Sequence, residues 1–273
     1  MPLGSNDSLA AAPRNRVKQT LASGGTVLGT WVIGVRTPSI TRMIAAAGFD
    51  FVFIDAQHSS FSWETIGDMC EMARASSLVP IVRPFEATAG MTNRLQDLGA
   101  MGVMFPDVTT PAEVVRINQW MRYPPMGTRG HISLGPPTDH KIGSGAEMQD
   151  AIDAQVLVII QIESSVGVSA VDSILEAGHV DVVEIGCGDL SVSLGVPFET
   201  RHPDVLMSID RIVSACDRHG VAAGVNCPSV EDAKKMMSRG IRCISFSTDR
   251  RILAKAYESA VSELRPVATS NQQ

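Results

Sequence analysis

The stretch FVFIDAQHSS, residues 51–60, contains the pattern that decides the fold. A short, mostly apolar run, FVFID, leads directly into three polar residues, Asp55, Gln57 and His58. The run lacks the in-out alternation of a half-exposed strand, so it predicts a strand that is covered on both faces. A buried strand that ends in three polar residues needs an explanation from the rest of the chain.

Runs of this kind alternate with helical patterns along the whole chain. The predicted strands are TVLGTWVIG, FVFID, VPIVRP, GVMFPDV, VLVIIQIE, VDVVEIGCGDLS, VAAGVN and RCISFS. Eight helical patterns follow them, and several begin at a capping residue and end at a glycine, as SVEDAKKMMSRG does. Eight β-α units in strict order predict an α/β protein with one domain, a closed (β/α)8 TIM barrel.

The expected domain boundaries follow from composition. We expect a flexible N-terminal tail over residues 1–14, the barrel over 15–268 and a C-terminal tail over 269–273. A Pro- and Gly-rich segment at about 123–150 interrupts the alternation before the fifth strand. A loop of this length in a compact domain is typical of a lid, a binding loop or an interface arm.

The composition excludes several classes of protein. The 273 residues are 44% hydrophobic and 19% charged, which is typical of a globular protein with a full core. The net charge of −6 and the lack of a dense Lys/Arg cluster argue against a nucleic-acid or membrane partner. The five scattered cysteines form no C-x-x-C pair, and no apolar run resembles a signal peptide or membrane span. We therefore expect a soluble, cytoplasmic protein.

The carboxyl ends of barrel strands meet at one rim, where chemistry is done. Four predicted strands direct polar residues there, namely Asp55, Gln57 and His58, then Arg83, then Gln161 and Glu163, and then Asp189. Any one of these carboxylates, taken alone, is more often a helix cap or a surface group. Together, two carboxylates on adjacent strands favour a partly filled oxygen site that suits Mg²⁺, Mn²⁺ or Co²⁺ better than zinc. An arginine at this rim could hold a carboxylate or an enolate, and a histidine could move a proton.

Five motifs in this order carry a resemblance: AGFDFVFIDAQH, IVRP, RYPPMGTRG, VIIQIES and IGCGDLS. From about GTWVIG to the last helix, the chain resembles the HpcH/HpaI aldolase family of metal-dependent class II pyruvate aldolases, which includes 4-hydroxy-2-oxo-heptanedioate aldolase. The resemblance implies a carbon-carbon lyase that reversibly cleaves a 4-hydroxy-2-oxo acid into pyruvate, or a close 2-oxo acid, and an aldehyde. The reaction would pass through an enolate stabilised by Mg²⁺, Mn²⁺ or Co²⁺, without a nucleotide or pyridoxal phosphate.

Carried over motif by motif, the resemblance assigns roles to the rim residues. Glu163 and Asp189 would ligate the metal, and Arg83 would bind the pyruvyl oxygens. His58 would act in the acid-base step through a metal-bound water. The backbone amides of Gly188 and Asp189 would receive the substrate carboxylate. No lysine lies at these strand ends, so a Schiff-base mechanism is not expected.

Gln161 and Trp31 complete the expected substrate site. Trp31 matches a family position near the aldehyde pocket, although an aromatic residue there also suits a core cap. Two departures from the family pattern leave the substrate open: Gln57 replaces a glutamate, and Cys187 replaces a proline. We expect GVNCPS and the long loop around Arg129 to contact the second product.

Asp97 matches an acidic family residue that supports the histidine, yet it lies late in the third helix, toward the far end of its own barrel. The resemblance therefore implies a homo-oligomer, from dimer to hexamer, with shared active sites. The alternative is that Asp97 is an ordinary surface residue. For the whole protein, the alternatives are a decarboxylase or condensing enzyme that acts on oxaloacetate through the same enolate, and a metal-binding barrel without catalysis.

Overall fold

The structure is a computed structural model that describes residues 14–141 and 145–270. Its eight strands are all parallel and pair in chain order, and β8 pairs with β1 to close the barrel. The predicted TIM barrel is confirmed. The strands are β1 (Val27–Val32), β2 (Phe51–Asp55), β3 (Val79–Arg83), β4 (Gly102–Phe105), β5 (Leu157–Ile162), β6 (Val182–Ile185), β7 (Ala222–Cys227) and β8 (Cys243–Thr248).

The described residues contain eleven α-helices rather than the eight that the patterns predict. They are α1 (Arg16–Ala22), α2 (Ser39–Ala46), α3 (Trp63–Ala75), α4 (Ala89–Asp97), α5 (Pro111–Met121), α6 (Ala146–Gln155), α7 (Ser165–Glu176), α8 (Cys187–Ser193), α9 (Pro203–His219), α10 (Val230–Ser238) and α11 (Asp249–Ser270). The three additional helices, α1, α6 and α8, have seven, ten and seven residues. α1 and α8 show too few turns for a clear hydrophobic period. α6 begins inside the segment predicted as a loop, and α8 occupies the second half of the predicted strand VDVVEIGCGDLS, so the prediction of a strand there is wrong beyond Ile185.

The two chain ends can be compared with the expected tails only in part. Of the expected tail 1–14, the structure describes Arg14 alone. Asn15 is fully buried and its amide donates to the carbonyls of Met101 at 3.0 Å and Gln155 at 2.9 Å. At the other end α11 continues to Ser270, and residues 271–273 lie outside the described part.

Two apolar layers hold the barrel together. Every residue of β2, β3 and β5 is buried, because one face points into the barrel and the other packs against helices. Inside, the rings of Phe51 and Phe53 meet edge to face, with centroids 5.1 Å apart. This burial on both faces explains why the strands lack alternation in the sequence.

A carboxylate joins the two strands that close the barrel. Asp249, at the start of α11, accepts hydrogen bonds from the backbone N–H groups of Ile33, Gly34 and Val35 at 2.7 to 3.0 Å. These three residues follow β1 directly. The bonds therefore fix the end of β1 against β8, at the rim where the site lies.

The long segment before β5 runs over the opposite end of the barrel. It follows a helix, α5, so it begins at the amino-terminal ends of the strands. A short 3₁₀ helix, Pro136–Thr138, lies within it, and Arg74 donates to the carbonyl of Pro136 at 2.6 Å. Among the described residues, no helix combines the length and apolarity that crossing a membrane would require.

The barrel interior should be intolerant of added volume at Gly29. A Cβ on Gly29 would overlap the ring of Phe51, so Gly29→Ala should destabilise the protein by about 1–3 kcal/mol. Gly90, near the start of α4, has nothing within 4 Å of the same position, so Gly90→Ala is the matched control and should not destabilise. Urea unfolding midpoints measure both. Equal midpoints for the two variants would contradict this packing.

Candidate active site

A cavity of about 510 Å³ opens at the carboxyl-terminal ends of the strands. We call it the mouth cavity. Five of the residues expected at the site line it: Trp31, Arg83, Gln161, Gly188 and Asp189. They come from β1, β3 and β5 and from the first turn of α8, so the rim gathers side chains that are far apart in sequence.

Arg83 is held in one orientation by its neighbours. Its Nη2 and Nε donate to the two oxygens of Asp55, at 2.6 and 3.1 Å. The guanidinium carbon lies 4.6 Å from the ring centroid of Trp31, within cation–π range. Nη1 lies 3.4 Å from Oε1 of Gln161. Two nitrogens of Arg83 thus donate to Asp55. The third, Nη1, can donate to a ligand in addition to Gln161.

Glu163 is a buried carboxylate with neutral partners. Its Oε2 accepts from Nε2 of Gln161 at 2.7 Å, and its Oε1 accepts from the backbone N–H of Asp107 at 3.0 Å. Burial first, and then the charge of Asp189, raise the pKa of Glu163 to about 7, although Arg83 opposes the shift. The charge of Asp189 therefore acts on the protonation of Glu163.

The donor set at the mouth suits a divalent cation. Within the described residues, neither Glu163 nor Asp189 forms an ion pair, so the repulsion between them is not compensated by a bonded cation. The described part of the chain holds no cluster of three or more His, Cys, Asp or Glu arranged for a metal. Two carboxylates fit an oxygen-preferring ion that takes its remaining ligands from substrate and water.

His58 and Asp97 lie at opposite ends of the barrel. His58 is exposed, follows β2 and is absent from the described lining of the mouth cavity. Asp97 ends α4, at the amino-terminal side of β4, where its carboxylate lies 3.4 Å from Nη2 of Arg129. Burial raises the pKa of Asp97, and Arg129 opposes the shift. One chain does not bring His58 and Asp97 together.

The two segments expected at the second product lie in different places. Asn226, Cys227 and Pro228, from GVNCPS, line the mouth cavity. Arg129 is buried at the other end of the barrel, with its guanidinium carbon 4.5 Å from the ring centroid of Tyr123. For a single chain, the expectation that Arg129 contacts the second product is wrong, because its loop follows a helix instead of a strand.

Glu184 is a buried charged residue of the mouth cavity that the sequence analysis does not single out. Glu184 lies in β6, is 2% exposed and lines the cavity. Burial raises its pKa to about 8, against the influence of Arg83, while Glu163 adds to the shift. The available signal is the charged residue inside the apolar run VVEI.

Comparisons with known proteins agree on one family. The profile of the family "HpcH/HpaI aldolase/citrate lyase" matches residues 28–256. The chain is 30% identical over 260 residues to a hydroxypyruvate/pyruvate aldolase of Paraburkholderia phytofirmans, covering 92% of this chain and 98% of that one. A solved HpcH/HpaI aldolase from Desulfitobacterium hafniense superimposes with a TM-score of 0.87 at 30% identity, covering 91% of this chain and 96% of that one. The citrate synthase SbnG superimposes with a TM-score of 0.80 at 28% identity, covering 94% and 99%. The chain belongs to the HpcH/HpaI aldolase/citrate lyase family.

Proposed function

We propose that this protein is a divalent-metal-dependent aldolase that reversibly cleaves a 4-hydroxy-2-oxo acid into pyruvate, or a close 2-oxo acid, and an aldehyde. The observation that supports this best is a pair of carboxylates without an ion-pair partner among the described residues. Asp189 lines the mouth cavity together with Arg83, and Glu163 lies behind the lining, hydrogen-bonded to the cavity residue Gln161. Family membership and the aldolase names of relatives support a carbon-carbon lyase in general terms.

The proposed roles follow from what the cleavage requires. Breaking the bond between C3 and C4 needs a proton taken from the 4-hydroxyl and a stabilised negative charge on the 2-keto oxygen. Glu163 and Asp189 would hold a divalent ion, whether Mg²⁺, Mn²⁺ or Co²⁺, which would supply positive charge to the enolate. Arg83, preorganised by Asp55, donates through Nη1 to the developing oxyanion.

The remaining groups bind the carboxylate and move the proton. The backbone N–H groups of Gly188 and Asp189 lie in the first turn of α8, and they donate to the substrate carboxylate. His58 exchanges the proton of the 4-hydroxyl through a water molecule. Trp31 and Gln161 shape the wall on either side of Arg83.

The second candidate is a condensing enzyme or decarboxylase that acts on oxaloacetate. The likeness to the citrate synthase SbnG favours it, because the same site could present an enolate to a different electrophile. The two candidates share the carboxylate pair and Arg83. They differ only in the bond that the enolate forms or loses.

We further propose a homo-oligomer with shared active sites. In a TIM barrel the last helix covers the outer wall beside the first strand. Here every described side chain of α11 from Arg250 to Ala268 is exposed, including Tyr257 at 67% and Leu264 at 68%. Leu28, on β1, is itself 41% exposed. An apolar helix face and an open wall on the same chain support contact between copies.

Pyruvate exchange tests the proposed function without a choice of aldehyde. Enzyme treated with a chelator should not exchange the methyl protons of pyruvate with D₂O. Adding Mg²⁺ should start the exchange, which NMR measures. The same assay with Mn²⁺ or Co²⁺ uses mass spectrometry. Absence of exchange with all three ions would contradict the aldolase proposal, and oxaloacetate would then be the substrate to test.

Arg83→Lys should reduce the metal-dependent exchange rate at least about 100-fold, because an ammonium cannot hold both oxygens of Asp55 and still donate to the substrate in a fixed direction. Arg201→Lys is the matched control. Arg201 lies at the cavity rim, where its side chain is 74% exposed and pairs with Asp232 at 2.7 Å. The exchange rate of the Arg201→Lys variant should therefore stay near that of the wild type. Equal rates for the two variants would remove Arg83 from the proposed role.

Metal binding should depend on Glu163 and on pH. Because the pKa of Glu163 is about 7, a bound ion must displace a proton below that pH, so Mn²⁺ affinity should rise about tenfold from pH 6 to pH 8. Glu163→Gln and Asp189→Asn should abolish binding, whereas Asp172→Asn, on the surface, should not. Calorimetry measures all four proteins. Unchanged affinity in the first two variants would place the metal elsewhere.

Shared sites predict complementation between inactive variants. His58→Ala and Asp97→Asn should each impair turnover as pure proteins. In mixed oligomers, some sites would combine His58 of one subunit with Asp97 of the other, so activity should return after the two variants are unfolded and refolded together. Sedimentation of each protein establishes the oligomer. No recovery in verified mixed oligomers would show that Asp97 does not complete the site.

A further inference from the structure

The floor of the mouth cavity between β6 and β7 contains a group that the proposed chemistry does not use. Glu184 is level in the sheet with Gln161 on β5 and Gly224 on β7. A Cβ on Gly224 would overlap the carboxyl group of Glu184. The missing side chain of Gly224 therefore creates the space that the carboxyl group occupies.

Glu184 is buried without a partner. Neither carboxyl oxygen forms a hydrogen bond anywhere in the described part of the chain. Burying a polar group without a hydrogen bond is unfavourable, so such a group calls for a functional explanation. Because burial raises its pKa to about 8, Glu184 is mostly protonated at neutral pH and can both donate and accept a hydrogen bond.

Asn226 lies on β7 two residues after Gly224, so the two residues share one face of that strand. Its Nδ2 donates to Oγ of Ser245 and to the carbonyl of Ser247, both at 3.1 Å, which fixes the amide. Its Oδ1 makes no hydrogen bond to any described residue. Asn226 also lines the cavity, so it presents a second hydrogen-bonding group to the same floor.

Glu184 and Asn226 can contact only the part of the substrate that lies over this floor of the cavity. In the proposed function, Arg83 and the first turn of α8 bind the keto and carboxylate oxygens, and a divalent ion at Glu163 and Asp189 would supply positive charge there. C3 is the remaining part of a short 2-oxo acid. Glu184 lies on β6, three residues before α8 begins, and so beneath the expected position of the bound acid.

We propose that Glu184 and Asn226 form a specificity-determining subsite for a hydroxyl group on C3 of the 2-oxo acid, so that the enzyme prefers 3-hydroxy-2-oxo acids to unsubstituted ones. A hydroxyl group there can donate to Oδ1 of Asn226 and exchange a hydrogen bond with Glu184, whereas a methyl group leaves both unpaired. This inference rests on the proposed function, because the placement of the 2-oxo acid comes from it.

The test compares C3 proton exchange of hydroxypyruvate and pyruvate with the Mg²⁺-loaded enzyme in D₂O. The two probes differ in intrinsic acidity, so the informative quantity is how each variant changes the ratio of their kcat/KM values. Glu184→Leu should lower the hydroxypyruvate-to-pyruvate ratio at least about tenfold, mainly through the KM for hydroxypyruvate. Glu184→Gln can still donate and accept, and should retain most of the preference.

Two further variants make the result specific. Arg201→Lys changes a rim residue of the cavity that neither the subsite nor the proposed chemistry uses, and it should leave the ratio unchanged. Asn226→Leu tests the other half of the subsite and should lower the ratio in the same direction. If thermal melting shows that Glu184→Leu does not fold, Asn226→Leu decides the outcome.

The possible failures are distinguishable. If the wild type exchanges pyruvate but the folded Glu184→Leu and Asn226→Leu variants keep its ratio, the subsite is wrong and the aldolase proposal stands. If the wild type exchanges neither acid with Mg²⁺, Mn²⁺ or Co²⁺, the aldolase proposal fails and the subsite fails with it. A fall in both rates by the same factor would show a structural role for Glu184 and would also overturn the subsite.

Discussion

The hydrogen-bonded ion pair between Asp55 and Arg83 is the interaction on which the mouth of the barrel depends. The two residues are level in the sheet, at the ends of β2 and β3, and both are buried. Removing one partner of such a pair would leave a buried charge, which typically costs about 3–5 kcal/mol. The pair also sets where Nη1 of Arg83 points, and so where Gln161 and then Glu163 are held.

Close to that pair, two further carboxylates are buried, Glu163 and Glu184. Burial raises the pKa of each, Asp189 also acts on Glu163, Glu163 acts on Glu184, and Arg83 opposes both shifts. The buried carboxylates of Glu163 and Glu184 must either bind protons or share a cation. A divalent ion at Glu163 and Asp189 and a proton on Glu184 would satisfy both requirements. These two buried carboxylates are thus a physical reason to expect a metal, independent of the family resemblance.

The direction of a parallel barrel separates the remaining candidate residues. Segments that follow strands, such as the one with His58, emerge at the mouth. Residues that follow or end helices, such as Asp97 and Arg129, emerge at the other end, where they pair with each other. No side-chain rotation can close that gap, so a single chain cannot place Asp97 beside His58. If both serve one reaction, a second copy must supply one of them.

The sequence by itself determined the barrel and the chemical type of its mouth. Runs buried on both faces, repeated eight times with helices between them, leave few folds other than a closed parallel barrel, and strand direction then places Arg83, Gln161 and Glu163 at one rim. These features are local or follow from topology alone. The motifs added the family, which the matches over residues 28–256 confirm.

Only the tertiary structure decided which groups are paired. Three features depend on contacts between residues distant in sequence. They are the pairing of Asp55 with Arg83, the burial of Glu184 beside Gly224 without a hydrogen bond, and the position of Arg129 at the far end of the barrel. Such contacts are set by the register of neighbouring strands and by the path of loops, and neither leaves a periodic signal in the chain. The sequence of α11 likewise does not predict that its side chains are exposed in a single chain. An apolar stripe predicts burial without identifying the surface that covers it.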